Sequence, residues 1–404
     1  MRRKPLPPPP QGRDGCPKRN KGRQKRSVLT VNGRVVLRRV RWHSPAEGGT
    51  TPIDAMLDTA EATVSLAVRE IACRLNQNAS NFEKAAENLA RAAQVRISGE
   101  SLRRLVEAEG KAVLAAGRCG TLPIGWTAAD CRTEGGPTRV YLGCDGVLVP
   151  MVTDAEKVAR RRAVRQKRRR GQRARRLPPA HAGADQGYKE FKIIASYDQD
   201  QSHRHVTATR GDHHAAGRIM RREAGRIALT EAREKIALAD GAVWIGNQIR
   251  GQSLPLDAVG LDFYHLAEHV HAARRAVYGD DETTGKAWAG AALHQVKHDG
   301  YDAFWESLTA WRSTLRGRRR RAADELLHDV AKRKETILYP EFLAKGWQIG
   351  SGPTEAMCKT MTARLKGSGM RWDGVNAEAL MALAALEQSG QWKGYWRSCL
   401  KPSG

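Results

Sequence analysis

The sequence predicts an α/β fold: a mixed sheet with an all-α insertion, preceded by a helical, helix-turn-helix-like region. Three observations support this. Short apolar runs between residues 139 and 265 alternate with a helical stretch in the order β-β-β-α-β-α-β, and several end in an acid. Residues 266–345 then read as helix, an insertion after the fifth strand. Upstream, residues 52–117 take a helical period, with two short helices joined by a tight link.

Composition narrows the partners. The chain has 404 residues and a formal net charge of +26, so a polyanion is the expected partner. No run of eighteen apolar residues is present, so no membrane span is expected. The basic N-terminus lacks the apolar core of a secretory signal. Seven cysteines are scattered without a C-x-x-C pair, which argues against a disulfide framework or a cysteine-based zinc site and fits a reducing cytosol.

Taken in order, residues 1–26 are Pro- and Arg/Lys-rich and are expected to be a disordered basic tail. Residues 27–50 hold two β-rich runs around Asn32-Gly33, a hairpin signal. In 52–117, Ser80-Asn81-Phe82-Glu83 opens a helix running to Ala93, and Ser98 to about Glu109 would be a recognition helix carrying Arg103 and Arg104. Residues 118–137 read as a linker. The domain expected over 138–390 contains two insertions. One is the block 157–176, with twelve Lys or Arg (Arg168, Arg169 and Arg170 among them) and no acid; the other is the helical stretch 266–345. Within the domain, the fourth strand or strand-turn spans residues 236–245 and the fifth residues 258–265. Residues 391–404 read as a tail.

Gly350-Ser351-Gly352-Pro353 makes a turn and starts a helix. Met357, Met361 and Leu365 then mark its core face, while Glu355, Lys359, Thr362 and Lys366 share the opposite face. Arg364, Arg371 and Trp372 are close in sequence. Asp145, Asp240 and Asp262 each end an apolar run, and acids at strand ends converge at one sheet edge. Three such acids can hold two Mg²⁺ (or Mn²⁺) ions about 3.5–4 Å apart, with basic neighbours holding a phosphate chain. The plain alternative is an exposed Glu–Lys pair worth about 0.2–0.5 kcal/mol.

The motifs Asp145-Gly-x-x-x-Pro150, Asp240-Gly-Ala-x-Trp-Ile245, Leu261-Asp-Phe-Tyr-His265 and Gly350-Ser-Gly-x-x-Glu355-x-x-x-Lys359, closing with Ser368-Gly-Met-Arg-Trp372, resemble those of DDE transposases of bacterial insertion sequences, the ISKra-like group in particular. The likeness covers about residues 138–390. It implies a ribonuclease H-like catalytic domain, metal-dependent cleavage and strand transfer on double-stranded DNA, action as a homodimer or larger synaptic complex, and a bacterial cytoplasmic, nucleoid-associated setting. It also implies the ligand set Asp145, Asp240 and Glu355, with Asp262 as the alternative second acid; otherwise Asp262 and His265, with Lys359, support the site. Arg103, Arg104, Arg168, Arg169, Arg170, Arg364, Lys366 and Arg371 are the expected DNA contacts. The chain departs from the pattern upstream, where relatives often carry paired cysteines for zinc and Cys16 has no partner.

Other readings remain open at this level: a non-catalytic DNA-binding protein, an inactive or truncated transposase copy, or a simple nuclease. His265 and His269, spaced i, i+4, suggest zinc chelation, but Leu266 stands where H-E-x-x-H needs its general base.

Overall fold

A computed structural model describes residues 9–56, 63–174, 177 and 186–399. The chain divides into two compact units, the first comprising residues 1–123, 375–387 and 391–404, the second 124–374 and 388–390.

The first unit opens with a sheet of β1 (Arg19–Thr30), β2 (Gly33–Ser44) and β3 (Gly48–Thr50). The β1–β2 register runs from Thr30↔Gly33 back to Arg19↔His43, and Gly33 supplies the positive φ (92°) that the Asn-Gly turn needs. The basic residues 19–26, expected in a disordered tail, are therefore strand. Alternation along the ribbon lets their cations reach solvent while the backbone pairs with β2. Residues 1–8 of that expected tail lie outside the described residues. Arg26 and Arg39 turn instead toward Asp54, on the short α1 (Ile53–Met56).

Three helices follow: α2 (Leu66–Gln77), α3 (Phe82–Ala93) and α4 (Gly99–Arg118). The Asn81 side chain caps α3 by accepting from Lys84 N, and Ser98 caps α4 by accepting from Ser101 N. Val68, Leu89, Leu102 and Val106 are fully buried between the helices, each worth about 1.5–3 kcal/mol. The α3–α4 pair exists as read, but α4 is longer than the recognition helix expected. A helix-turn-helix reader is not shown by two packed helices alone.

The second unit contains a five-stranded mixed sheet, consistent with the ribonuclease H-like expectation. Its strands are β4 (Arg139–Pro150), β5 (Tyr188–Tyr197), β6 (Arg204–Thr209), β7 (Glu234–Ala239) and β8 (Ala258–Leu261), in the order β6-β5-β4-β7-β8. The β4–β5 and β5–β6 pairs are antiparallel; the β4–β7 and β7–β8 pairs are parallel. Between β4 and β5 lies α5 (Asp154–Arg169), the charged block expected as an insertion; it buries no side chain. Thr153 and Glu156 close a reciprocal cap at its start. Arg175 and Arg176, at the end of that block, lie outside the described residues.

On one sheet face α6 (His213–Arg226) and α7 (Val243–Gly251) pack through Ala216, Met220, Ile245 and Ile249 against Leu142, Cys144 and Ile194. The segment 240–245, expected as the end of a strand or strand-turn, is a turn and a helix start; the strand stops at Ala239 and Gly241, at φ 83°, lies in the turn. Likewise β8 stops at Leu261, and Asp262 caps α8 (Phe263–Tyr278). With α9 (Glu282–His298), α10 (Tyr301–Ser313), α11 (Gly317–Lys332) and α12 (Tyr339–Ala344), α8 forms the helical insertion around Phe304, Val296 and Val330. The last helix of this stretch, α13 (Gly352–Thr362), meets β4 and β5.

Two expected boundaries differ. Trp126, Ala128 and Cys131, in the expected linker, are buried against Val140 and Ile227 in the second unit. Most of α14 (Gly374–Gln388), together with α15 (Trp392–Ser398), belongs to the first unit, where Leu383, Trp392 and Trp396 join the core of α2–α4. The 391–399 stretch is therefore not a tail, because its aromatic residues have a core to enter; residues 400–404 lie outside the described residues. No helix among the described residues is long and apolar enough to cross a membrane.

Glu223 of α6 is buried and ties the helix to β6: its carboxylate accepts from Arg226 (2.8 Å) and Arg222 (2.6 Å) and meets His205 Nε2 at 2.7 Å. Burial opposes its charge, but the His205 hydrogen bond and the surrounding cations win and hold its carboxyl down to about 2. A depressed carboxyl contributes its stability in full above its unfolded value near 4.5 and loses it as pH falls toward 2. Glu223 should therefore supply about 3 kcal/mol that disappears across that window. In Glu223→Gln, urea midpoints should fall at pH 7 and change less between pH 5 and 3 than in the wild type; an unaltered acid limb would contradict the assignment.

Candidate active site

The parallel register sets three acids side by side. Gly143 pairs with Leu238 and Ala239 with Leu261, so Asp145, Asp240 and Asp262 lie at matching levels beyond those pairs. Glu355 arrives from α13. Its neighbour Thr354 sits against β4 where Gly143 has no side chain; a Cβ there would lie 1.9 Å from Thr354 Oγ1. That close approach brings the first turn of α13 to the strand carrying Asp145.

The contacts of the acids differ. Asp145 is half-buried, accepts from Gly146 N at 2.6 Å and receives the Cys358 thiol from α13. Burial pushes its carboxyl above the usual range; the Gly146 bond opposes this, while the charges of Asp240 and Glu190 add to it. Burial and the charges of Asp145 and Glu355 in turn push the Cys358 thiol up. Asp240 is half-buried and accepts from Ala242 N at 2.9 Å. Glu355 is exposed, its Oε1 3.3 Å from the Ser351 hydroxyl. Among the described residues, no Lys, Arg or His forms an ion pair with Asp145, Asp240 or Glu355.

Asp262 is different. It is 1% exposed and accepts from Ser351 N (2.7 Å), Tyr264 N (2.6 Å), His265 N (3.1 Å) and the Ser351 hydroxyl. These contacts occupy both oxygens in capping α8 and holding the turn before α13. His265 faces His269 (3.2 Å) and Glu268 (3.7 Å), and His269 meets Asp329 at 3.0 Å.

Glu190 was not read from the sequence. It lies on β5 over Gly146, where a Cβ would come within 1.9 Å of its Oε1, and it holds Lys192 Nζ at 2.5 Å. The Lys192 ammonium also sits 5.3 Å from the Trp244 ring centre. An acid inside a strand gives no sequence signal until the strand pairing is known.

The expected DNA contacts divide into two sets. Lys366, Arg168, Arg169 and Arg170 are exposed, as is Lys359, expected to support the site. Arg103 is held by Glu100 and Glu107 at 2.8 Å, and Arg104 by Glu100 at 2.9 Å. Arg371 bonds Glu156 and Met151 O. Arg364 does not face outward as expected: it is 6% exposed, its guanidinium 5.4 Å from the Trp372 ring centre, and burial brings its pKa down to about 10. Thr362, expected on the same face as Glu355, is buried, its hydroxyl donating to Cys358 O. The regular helix ends there, so the face does not continue to Lys366.

The residues present fit hard divalent cations. Asp145 and Asp240 stand at matching levels with no cationic side chain bonded to them among the described residues, and burial together with the Asp240 charge pushes the Asp145 carboxyl up, which a divalent ion would relieve. Asp262, whose oxygens are occupied, should act through structure. Asp262→Asn leaves at least one backbone donor facing an amide NH₂ and should cost about 2–4 kcal/mol, read as a lowered urea midpoint. Unchanged stability would contradict the role.

No family profile and no curated protein matches the sequence. Among solved structures, a chain of the Drosophila P element transposase strand transfer complex is similar over 85% of this chain and 84% of its own, at 11% identity and a TM-score of 0.29. That overlap is too loose to fix a fold or a function.

Proposed function

We propose that the chain is a DDE-type transposase of an insertion sequence, with a ribonuclease H-like catalytic domain that cuts and joins double-stranded DNA. The observation that supports this reading is the level placement of Asp145 and Asp240 on neighbouring parallel strands, with α13, which carries Glu355, packed on β4 and none of the three acids in an ion pair among the described residues. In this reading the three carboxylates hold two Mg²⁺ or Mn²⁺ ions. When bound, these supply the Lewis acidity that activates an attacking oxygen and steadies a leaving one. Asp240 serves as the second acid because the oxygens of Asp262 are committed to Ser351 and to the start of α8.

The chain's own residues do the rest. Lys359 and Lys366 hold the phosphodiester against the acids. Asp262, through Ser351, sets the position of Glu355. In cleavage a water oxygen attacks phosphorus, the bond to the 3′-oxygen breaks, and a 3′-hydroxyl is released. In joining, that hydroxyl attacks a target phosphodiester, one P–O bond forms as another breaks, and the displaced oxygen takes a proton. Joining two element ends requires two active centres, so self-association into a dimer or larger complex belongs to the same reading.

DNA affinity has a source beyond Arg168, Arg169 and Arg170. On the β1–β2 ribbon, Lys21, Arg23, Lys25, Arg34, Arg38 and Arg41 are exposed and carry no ion pair among the described residues. Lys25 and Arg38 are direct cross-strand partners, a like-charge pair that destabilises a sheet unless an anion lies between them. A two-stranded ribbon fits the major groove, and these cations would meet the phosphates on its walls.

Two outcomes are expected. On a plasmid carrying candidate element ends, with Mg²⁺ or Mn²⁺, Asp145→Asn, Asp240→Asn and Glu355→Gln should each lower cleavage and joining by about 10³-fold or more, with DNA binding retained. Asp262→Asn should retain activity in proportion to its folded fraction. A wild type that binds DNA but never cuts would favour a binding protein or an inactive copy. Separately, Arg23→Gln/Lys25→Gln/Arg38→Gln should weaken binding about equally on all sequences and reduce the slope of log K against log salt by about 2–3. An unchanged slope would remove the ribbon from the interface.

A further inference from the structure

Away from the acids just described, the second unit brings together a thiol, a carboxylate and an imidazole from two separate turns. Cys131 follows the 3₁₀ turn Ala128–Asp130 and is fixed to the start of β4, where Arg139 N donates to its carbonyl at 2.8 Å. Asp198 and His203 are the two ends of the β5–β6 turn. The Cys131 sulfur, an Asp198 oxygen and a His203 ring nitrogen all lie within 4.8 Å of one another. Cys131 is 1% and Asp198 4% exposed, while His203 is part-exposed, which leaves a path for an ion to enter.

Without an ion the thiol is poorly matched. The thiol's one hydrogen-bond contact is a weak one, 3.7 Å from Thr127 O. One Asp198 oxygen is shared by His203 Nδ1 (2.6 Å) and the Ser202 hydroxyl (2.8 Å). The sulfur, the carboxylate and the imidazole lie close enough together to hold one ion. The donor set of one sulfur, one nitrogen and one oxygen selects zinc over the hard ions that an all-carboxylate site takes.

We infer that Cys131, Asp198 and His203 form a zinc site that staples the turn before β4 to the β5–β6 turn. Binding takes Cys131 as the thiolate and releases its proton to solvent; water or the exposed Asp200 carboxylate completes the tetrahedron. The Trp126 ring, tilted over His203 at 5.6 Å, covers one side of the site, and its Nε1 donates to Arg204 O. The site is independent of the proposed catalytic acids.

The test uses the full chain, purified, stripped with a chelator and reloaded with Zn²⁺ or Co²⁺. The wild type, Cys16→Ser and Asp145→Asn should each retain about one zinc per chain after gel filtration, and Cys131→Ser and His203→Gln less than about a tenth of that. The cobalt form should show a thiolate-to-metal charge-transfer band that Cys131→Ser lacks. His203→Gln, at a part-exposed position, guards against simple misfolding, and its circular dichroism should match the wild type. Zinc content equal in the wild type and Cys131→Ser, or a cobalt spectrum without thiolate character, would overturn the inference. The Asp198–His203 pair would then be a hydrogen-bonded turn and nothing more.

Discussion

The arrangement of the second unit depends on how closely α13 approaches β4. Thr354 occupies the space that a side chain at position 143 would fill, so only glycine lets the helix start reach the strand. The same helix start is held from the other side by Asp262, which binds both the backbone and the hydroxyl of Ser351. These two constraints fix the helix start that carries Glu355 on the strand that carries Asp145. Asp145 and Asp240 repel across neighbouring strands, and the free energy opposing that repulsion comes from sheet pairing and from buried contacts such as Met357 and Met361.

Much of this was legible in the sequence, for local reasons. Asn32-Gly33 marked a turn because it requires a positive φ, and Asn81 and Ser98 marked helix starts because their side chains accept from the first turn. Asp240 and Asp262 were visible as acids closing a strand because an apolar run ending in aspartate is a local pattern; Asp145, expected to end its strand, lies within β4, which pairs with β5 as far as Pro150. The misreadings arise where local pattern and tertiary context disagree. Residues 19–26 look like a solvated tail until β2 is there to pair with, and residues 242–245 look like part of a strand or strand-turn until the turn at Gly241 leads them into α7. Arg364 looks like a DNA contact until Trp372 folds back beneath it. Glu190 and the Cys131–Asp198–His203 group carry no local signal, since strand pairing and a long loop bring them together.

Charge is distributed according to task. Many acids of the second unit are neutralised within the fold, as Glu223 is by two arginines and a histidine, and Glu234 by Arg139. Asp145, Asp240 and Glu355 are left without such partners among the described residues. On the first unit the excess runs the other way, with like charges facing each other across the β1–β2 ribbon. On the function proposed above, divalent cations would balance the acids and a polyanion the ribbon, and both would serve one chemistry, the handling of phosphodiesters.

The most direct test of this account is Mn²⁺ binding by the purified chain, followed by electron paramagnetic resonance with calorimetry and without DNA. The account predicts binding that weakens by about tenfold or more in Asp145→Asn, Asp240→Asn and Glu355→Gln but persists in Asp262→Asn at temperatures where it is folded. Binding unaffected by the first three substitutions, or abolished by Asp262→Asn alone, would contradict it.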